Sequence, residues 1–170
     1  MADIAAAAEV SKPTLFRYFP TKEDLVLHRI ADHEGEAARV VQGREAGVNP
    51  LAALHRHFAE GLARRDPVTG LNDDPDVLAY HRMVFSTPSL GARVAAYSAA
   101  EESALAEALA EGSPLPSLLA AAQIIAVQRV LARDNWRQLI DGRSADELYP
   151  AAVAAADAAF AQLRSGLTNL

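Results

Sequence analysis

Residues 1–25 read MADIAAAAEVSKPTLFRYFPTKEDL, and the break between Glu9 and Lys12 inside this stretch decides how the chain folds. An alanine-rich apolar run precedes the break, and a second short run carrying Leu15, Phe16 and Phe19 follows it. Ile4, Ala5 and Ala8 recur at i, i+1 and i+4, which gives a first helix one apolar face to pack on Leu15 and Phe19. Val10 falls in the turn, where a small hydrophobe plugs the angle between two helices. Ser11 is a good N-cap, and Pro13 sits in the first turn, where its missing N–H has no intrahelical partner to lose. The spacing predicts a second helix from Lys12 to Tyr18. Two short helices joined by a three- or four-residue turn form the geometry that lays the second helix in the major groove of DNA.

The outward positions of that second helix are Lys12, Pro13, Thr14, Arg17 and Tyr18. They offer cations, a hydroxyl and an aromatic ring, which suit phosphate oxygens and base edges. No acidic residue lies between Ser11 and Lys22, and the chain's only two lysines, Lys12 and Lys22, bracket the helix. Taken singly, each charge reads as an ordinary solvated side chain of a helical hairpin. Taken in order with the turn, the cap and the aromatics, they read as a DNA contact surface.

The string Asp3-Ile4-Ala5, Ala8-Glu9-Val10-Ser11-Lys12 and Thr14 to Leu25 closely resembles the DNA-binding signature of the tetracycline-repressor (TetR) family of bacterial one-component regulators. The resemblance implies that Thr14 and Arg17 face the groove and that Ser11, Tyr18 and Lys22 hold phosphates, while Lys12 and Pro13 join the DNA-binding surface as outward positions of the same helix. It also implies a small core of Ile4, Ala5, Val10, Leu15, Phe19 and Leu25. Two residues depart from the family pattern. Glu9 stands where Gly is usual, so the turn must accept a side chain. Phe16 stands where Tyr is usual, which removes a phosphate-contacting hydroxyl. Family members also carry a helix before this segment, so the sequence is expected to hold an incomplete reader, with DNA binding weakened if the protein starts at Met1.

Composition bounds the rest. The chain has 170 residues, 51% of them hydrophobic, enough for one substantial core and a small appended domain. A formal net charge of −6 argues against broad nonspecific attraction to nucleic acid or anionic membrane, so any DNA contact has to be local. The absence of cysteine removes disulfides, thiolate nucleophiles and thiolate metal sites. Asp3 at the N-terminus and the lack of any unbroken run of 18 apolar residues predict a cytoplasmic chain with no membrane partner.

The expected fold is all-α: residues 1–42 form an incomplete helix-turn-helix with its connecting helix, and residues 43–170 form a helical ligand-binding and dimerisation domain. Thr21 and Asp24 make a capping-box start for a long helix reaching about Val41, ended by Gly43 and Gly47. Asn49-Pro50 opens a helix through Leu51, Leu54, Phe58 and Leu62 that closes at Arg64 to Pro67, and Val68 to Asp74 reads as a loop. Pro75 opens a helix through Val77, Tyr80 and Val84. Pro88 interrupts, and a further helix runs from about Ser89 to Ala110, stopped by Gly112-Ser113-Pro114. Ser144 with Glu147 forms another capping box, but Pro150 would cost a helix interior about 3 kcal/mol, so the last helix is expected to restart at Pro150.

From Leu118 to Val127 the only polar residue is Gln123, and from Ala151 to Phe160 it is Asp157. Helices apolar nearly all round must be covered on more than one side. A second copy of the chain can supply that cover as an isologous four-helix homodimer interface, and the alternative is a central place in one larger monomer core. Two recognition helices about 34–36 Å apart would meet successive major grooves of double-stranded DNA, so a palindromic operator is expected. By the same resemblance, an unknown small-molecule inducer in the middle helices would release the DNA.

Phe58, Leu62, His81, Met83, Phe85, Tyr97 and Arg129 are the candidate ligand-binding residues, because they join large apolar surfaces to a few polar groups. Trp136 fits the ligand site or the dimer contact. His55 and His57 point away from each other on a helix, and His28 and His33 are five apart, so no metal site is expected. The sequence has no phosphate loop, G-x-S-x-G or H-E-x-x-H, so neither an enzyme nor a cofactor is expected. The resulting expectation is a ligand-responsive transcriptional regulator, a repressor released by its inducer. The alternative is a dimeric small-molecule-binding module that has lost DNA reading.

Overall fold

A computed structural model describes residues 2–110 and 114–166. Among the described residues every regular element is helical. The order is α1 Ala2–Ala7, α2 Lys12–Tyr18, α3 Lys22–Val26, α4 His28–Ala31, α5 Glu36–Gln42, α6 Pro50–Ala63, a 3₁₀ turn at Pro67–Thr69, α7 Pro75–Ser86, α8 Pro88–Leu109, α9 Pro114–Ile140 and α10 Ala145–Ser165.

The caps expected from the sequence are in place. Ser11 Oγ accepts the Thr14 N–H, and Asn49 Oδ1 accepts from Leu51 and Ala52; the structure adds Asp74, at the end of the expected loop, as the cap of α7. Both capping boxes, Thr21 with Asp24 and Ser144 with Glu147, are formed. Each satisfies backbone donors that a helix start leaves without partners. Of the expected Gly112-Ser113-Pro114 stop, residues 112 and 113 lie outside the described residues; Pro114 begins α9.

Helices α5, α6, α8, α9 and α10 converge on one core, where Val41, Leu54, Leu62, Leu71, Leu105, Ala121, Leu148 and Phe160 are fully enclosed. A second, smaller cluster of Leu27, Val84 and Leu90, flanked by Val26, Ile30, Tyr80, Val94 and Tyr97, joins α3 and α4 to α7 and α8. Helix α9 is long and apolar enough to cross a membrane by length and composition. It packs against α8 and α10, and its second half carries Arg129, Arg133, Asp134 and Arg137.

Three expectations need correction. The long helix from Thr21 to Val41 is three short ones. Leu27 ends α3 with φ −91° and ψ 8°, which lets its side chain drop fully between Val84 and Leu90. Gly35 then takes a left-handed φ of 73°, and Glu101 of α8 accepts from the Gly35 and Ala37 N–H groups, capping α5 from 66 and 64 residues away. Burial and a distant cap together outweigh helix continuity here.

Second, α10 runs through Pro150 without a restart. Its first turn is anchored on both sides. Ala145 N donates to Asp73 at 2.8 Å, Asp146 pairs with Arg65 at 2.7 Å, and Ala145 and Leu148 are buried. That anchorage offsets the hydrogen bond lost at the proline.

Third, the small core of the N-terminal hairpin is Ala5 and Leu15, with Phe19 and Leu25 half-buried; Ile4 and Val10 are exposed.

Candidate nucleic-acid interface and ligand cavity

Helix α2 presents its polar side outward. Ser11, Lys12, Pro13, Arg17, Tyr18 and Lys22 are exposed, with Tyr18 66% accessible, and Thr14 is half-buried. The Ser11 and Thr14 hydroxyls lie 2.7 Å apart. Arg17 stacks over the Tyr18 ring at 5.1 Å and donates to its hydroxyl at 3.3 Å, while Lys12 lies over Phe16 at 5.9 Å. These contacts order two exposed cations without neutralising them. Glu9 has φ 54°, a left-handed conformation that glycine adopts at no steric cost and other residues strain to reach, so this turn accepts its side chain under strain.

The hairpin is tied to the rest of the molecule through Asp24. Its carboxylate is nearly buried and receives four hydrogen bonds: from Thr21 N at 3.0 Å, Thr21 Oγ1 at 2.7 Å, Arg93 Nε at 2.7 Å and Tyr97 OH at 3.1 Å. Burial alone would raise its pKa, but these bonds outweigh burial and hold the carboxyl below its ordinary value. Tyr80 adds a second tie by donating to the Val26 carbonyl at 3.0 Å. The residues that fix α3 therefore stand on α7 and α8, the helices that wall the cavities.

Two adjoining cavities open beside this joint. The larger, of about 810 Å³, lies between α3–α4, α7, α8 and α9; the smaller, of about 230 Å³, reaches toward α5 and α6. Ile30, Val94, Ser98 and Arg129 border both. The sequence-derived ligand candidates distribute between them. His81, Met83, Phe85 and Arg129 line the larger cavity, and Phe58, Tyr97 and Arg129 the smaller. Leu62 lines neither, being fully enclosed in the main core.

Aromatic side chains bridge α7 to α9 across the larger cavity. Phe85 and Trp136 rings are 5.3 Å apart, His81 lies 6.3 Å from Trp136, and Arg133 caps the Phe85 ring at 5.0 Å. Burial pushes the His81 pKa down, which favours its neutral form. Trp136 Nε1 is buried with no hydrogen-bond partner. Trp136 is thus placed at the cavity rather than with the exposed apolar face of α9.

The smaller cavity holds a cluster that sequence spacing did not bring together. Glu36 binds His33 Nδ1 at 2.7 Å through one oxygen and His57 Nε2 at 3.0 Å through the other. The His57 hydrogen bond is the main cause that takes the Glu36 pKa down to about 2, and the same bond raises that of His57. The only local signal of this arrangement was Gly35, beside Glu36 in an otherwise helical stretch. His55 is used elsewhere, 2.8 Å from Asp157 and stacked on Phe160. Among the described residues no group of three or more His, Asp or Glu side chains is placed to hold a metal ion.

Comparison with known proteins adds to this geometry. The family described as "Bacterial regulatory proteins, tetR family" matches residues 1–28. The HTH-type transcriptional regulator TcmR of Streptomyces glaucescens is 34% identical over 133 residues, covering 76% of this chain. The chain spans 59% of the length of that curated relative. No solved structure matches. An all-helical chain whose first 28 residues carry the family's DNA-binding signature, and most of whose length aligns with a named regulator, is a member of the tetR family of bacterial regulatory proteins.

Proposed function

We propose that this chain is a DNA-binding transcriptional regulator that acts as a homodimeric, cytoplasmic, non-enzymatic repressor, released from a palindromic operator by a small molecule. The observation that carries the reading is the joint at Asp24. Helix α3, which follows the solvent-facing α2, is fixed through one nearly buried carboxylate to the α8 residues Arg93 and Tyr97, and Tyr97 and its neighbour Val94 border the cavities. A ligand that displaces Val94 or Tyr97 acts on the anchor of α3 and so on the attitude of α2. Such a ligand shifts the population of DNA-competent states by its differential affinity for them.

In this reading Thr14 and Arg17 read bases, Ser11, Lys12, Tyr18 and Lys22 hold phosphates, and Pro13 sets the helix start. His81, Met83, Phe85, Phe58, Tyr97 and Arg129 contact the inducer, and Leu62 supports them from the core. Residues 1–42 form the reader and 43–170 the body, with α5 embedded in the body's core. The second copy docks on α9 and α10, so α9 is a helix between protomers and not a membrane span.

The test is a selection of random duplexes on the protein followed by anisotropy titration. The expected result is a near-palindromic site with half-sites one helical turn apart, and Arg17→Ala lowering affinity for it at least tenfold. No enriched sequence would favour the second reading, a ligand-binding module without DNA reading. Phe16 favours that second reading, because it exposes a ring with no hydroxyl on the DNA-facing hairpin.

A further inference from the structure

The larger cavity is charged unevenly, and the unevenness specifies a ligand. Arg29, Arg129 and Arg133 line it, and none of the three has a hydrogen-bond or ion-pair partner among the described residues. Guanidinium groups stay protonated throughout the physiological range. Asp32 and Asp76 also face this cavity, with His28, His33 and His81 as its titratable neighbours. On the adjoining small-cavity side, the Glu36 carboxylate is held by His33 and His57, and the Glu101 carboxylate by the Gly35 and Ala37 N–H groups. Glu36 and Glu101 are thus occupied, and the larger cavity sets three unpaired guanidinium groups against two carboxylates, Asp32 and Asp76.

The apolar part of the same wall is aromatic. Phe85 and Trp136 form a tilted pair, and the Arg133 guanidinium already lies over the Phe85 ring. A planar group entering here meets ring faces and a guanidinium plane, surfaces that favour an aromatic ligand over an aliphatic one of equal area. Trp136 Nε1 is a buried donor without the hydrogen bond that a buried N–H ordinarily makes.

We propose that the larger cavity takes an aromatic anion, a planar ring system bearing a carboxylate, phenolate or similar oxygen group, with its rings against Phe85 and Trp136 and its charge at Arg129 and Arg133. This rests on the ligand-site reading above and names the class of molecule that fills the site. Arg29, on the α3–α4 side, brings the same anion into contact with the segment that anchors α2.

The experiment is calorimetric titration of the whole chain with three molecules sharing one ring body: naphthalene-2-carboxylate, naphthalene-2-carboxamide and 2-naphthylmethylammonium. The expected order is carboxylate tightest, at least tenfold over the amide, with the ammonium weakest. The double variant Arg129→Met/Arg133→Met, at two solvent-exposed positions, should bring carboxylate and amide within twofold of each other. Trp136→Phe should weaken both several-fold. Equal or tighter binding of the amide or the ammonium by the unmodified chain overturns the proposal whether or not any variant folds, and so does a carboxylate preference that survives the double variant. Nile red, a neutral apolar dye, separates the two possible failures. If it binds and is lost in Trp136→Phe while the carboxylate shows no advantage, only the charge assignment fails. If neither Nile red nor any naphthalene binds, the cavity is not a ligand site and both readings fall.

Discussion

Gly70 shows how much a single position can decide. It has φ 71°, and a Cβ placed there would sit 1.8 Å from the Ala132 carbonyl oxygen of α9. The turn around it is clamped to α9 by Asn135, whose amide donates to the Thr69 carbonyl at 2.9 Å in a buried setting. Gly70→Ala combines left-handed strain with a backbone clash that no rotamer relieves, so urea unfolding should report a loss of about 3 kcal/mol or more. Gly47 is the control: its φ is 83° with nothing within 4 Å of an added Cβ, and Gly47→Ala should cost only about 1 kcal/mol. The Glu36 cluster gives a pH signature at the same scale. Glu36 titrates near 2 instead of 4.5, so its contribution is present above about pH 4.5 and fades as pH falls toward 2. His57 is raised above 6.5, so its contribution is full below 6.5 and is lost as pH rises through the elevated value. The link between α5 and α6 should therefore be firmest between about pH 4.5 and 6.5. An NMR titration should place the His57 midpoint above 6.5 and return it toward 6.5 in Glu36→Gln.

Among the elements, those that the sequence made legible have local causes. Ser11, Asn49 and Asp74 each mark a helix start within two residues of a proline, and α2, α6 and α7 begin where those pairs stand. The break between α4 and α5 was not legible, because its cap is Glu101, contributed by another helix 66 residues on. The Glu36 cluster was hidden for the same reason: His57 comes from α6, and helical spacing speaks only of neighbours three or four apart. The candidate cavity residues were legible as types, yet the assignment of Leu62 failed to distinguish a large side chain facing a cavity from one closing the core. Pro150 was misread because its local cost is real while its compensation, Asp73 and Arg65 holding the first turn, is tertiary. That cost makes a prediction. Pro150 is exposed, so Pro150→Ala loses no packing and restores a backbone donor to the Asp146 carbonyl. Chemical denaturation should show α10, and with it the whole chain, stabilised by about 1–2 kcal/mol.

For the whole molecule, the main question is what covers α9 and α10. Leu115, Leu118, Leu119 and Val130 are between 48% and 63% accessible, and α10 exposes Ala151, Ala154, Ala155 and Ala158. Large apolar side chains on one helix and small ones on the next suit a self-complementary face, which is why the homodimer is proposed there. Leu119→Glu should convert a dimer of about 36 kDa, twice the 18.1 kDa chain, into a monomer in light scattering; a wild-type chain that is already monomeric at micromolar concentration would remove the basis of the palindrome. Trp136, finally, is the chain's only tryptophan, and it stands in the wall of the larger cavity. The intrinsic fluorescence of the unlabelled protein therefore comes from a single known place. Its emission wavelength registers whether that wall is wet or dry, so the state of the cavity can be followed optically during a DNA titration with no dye attached.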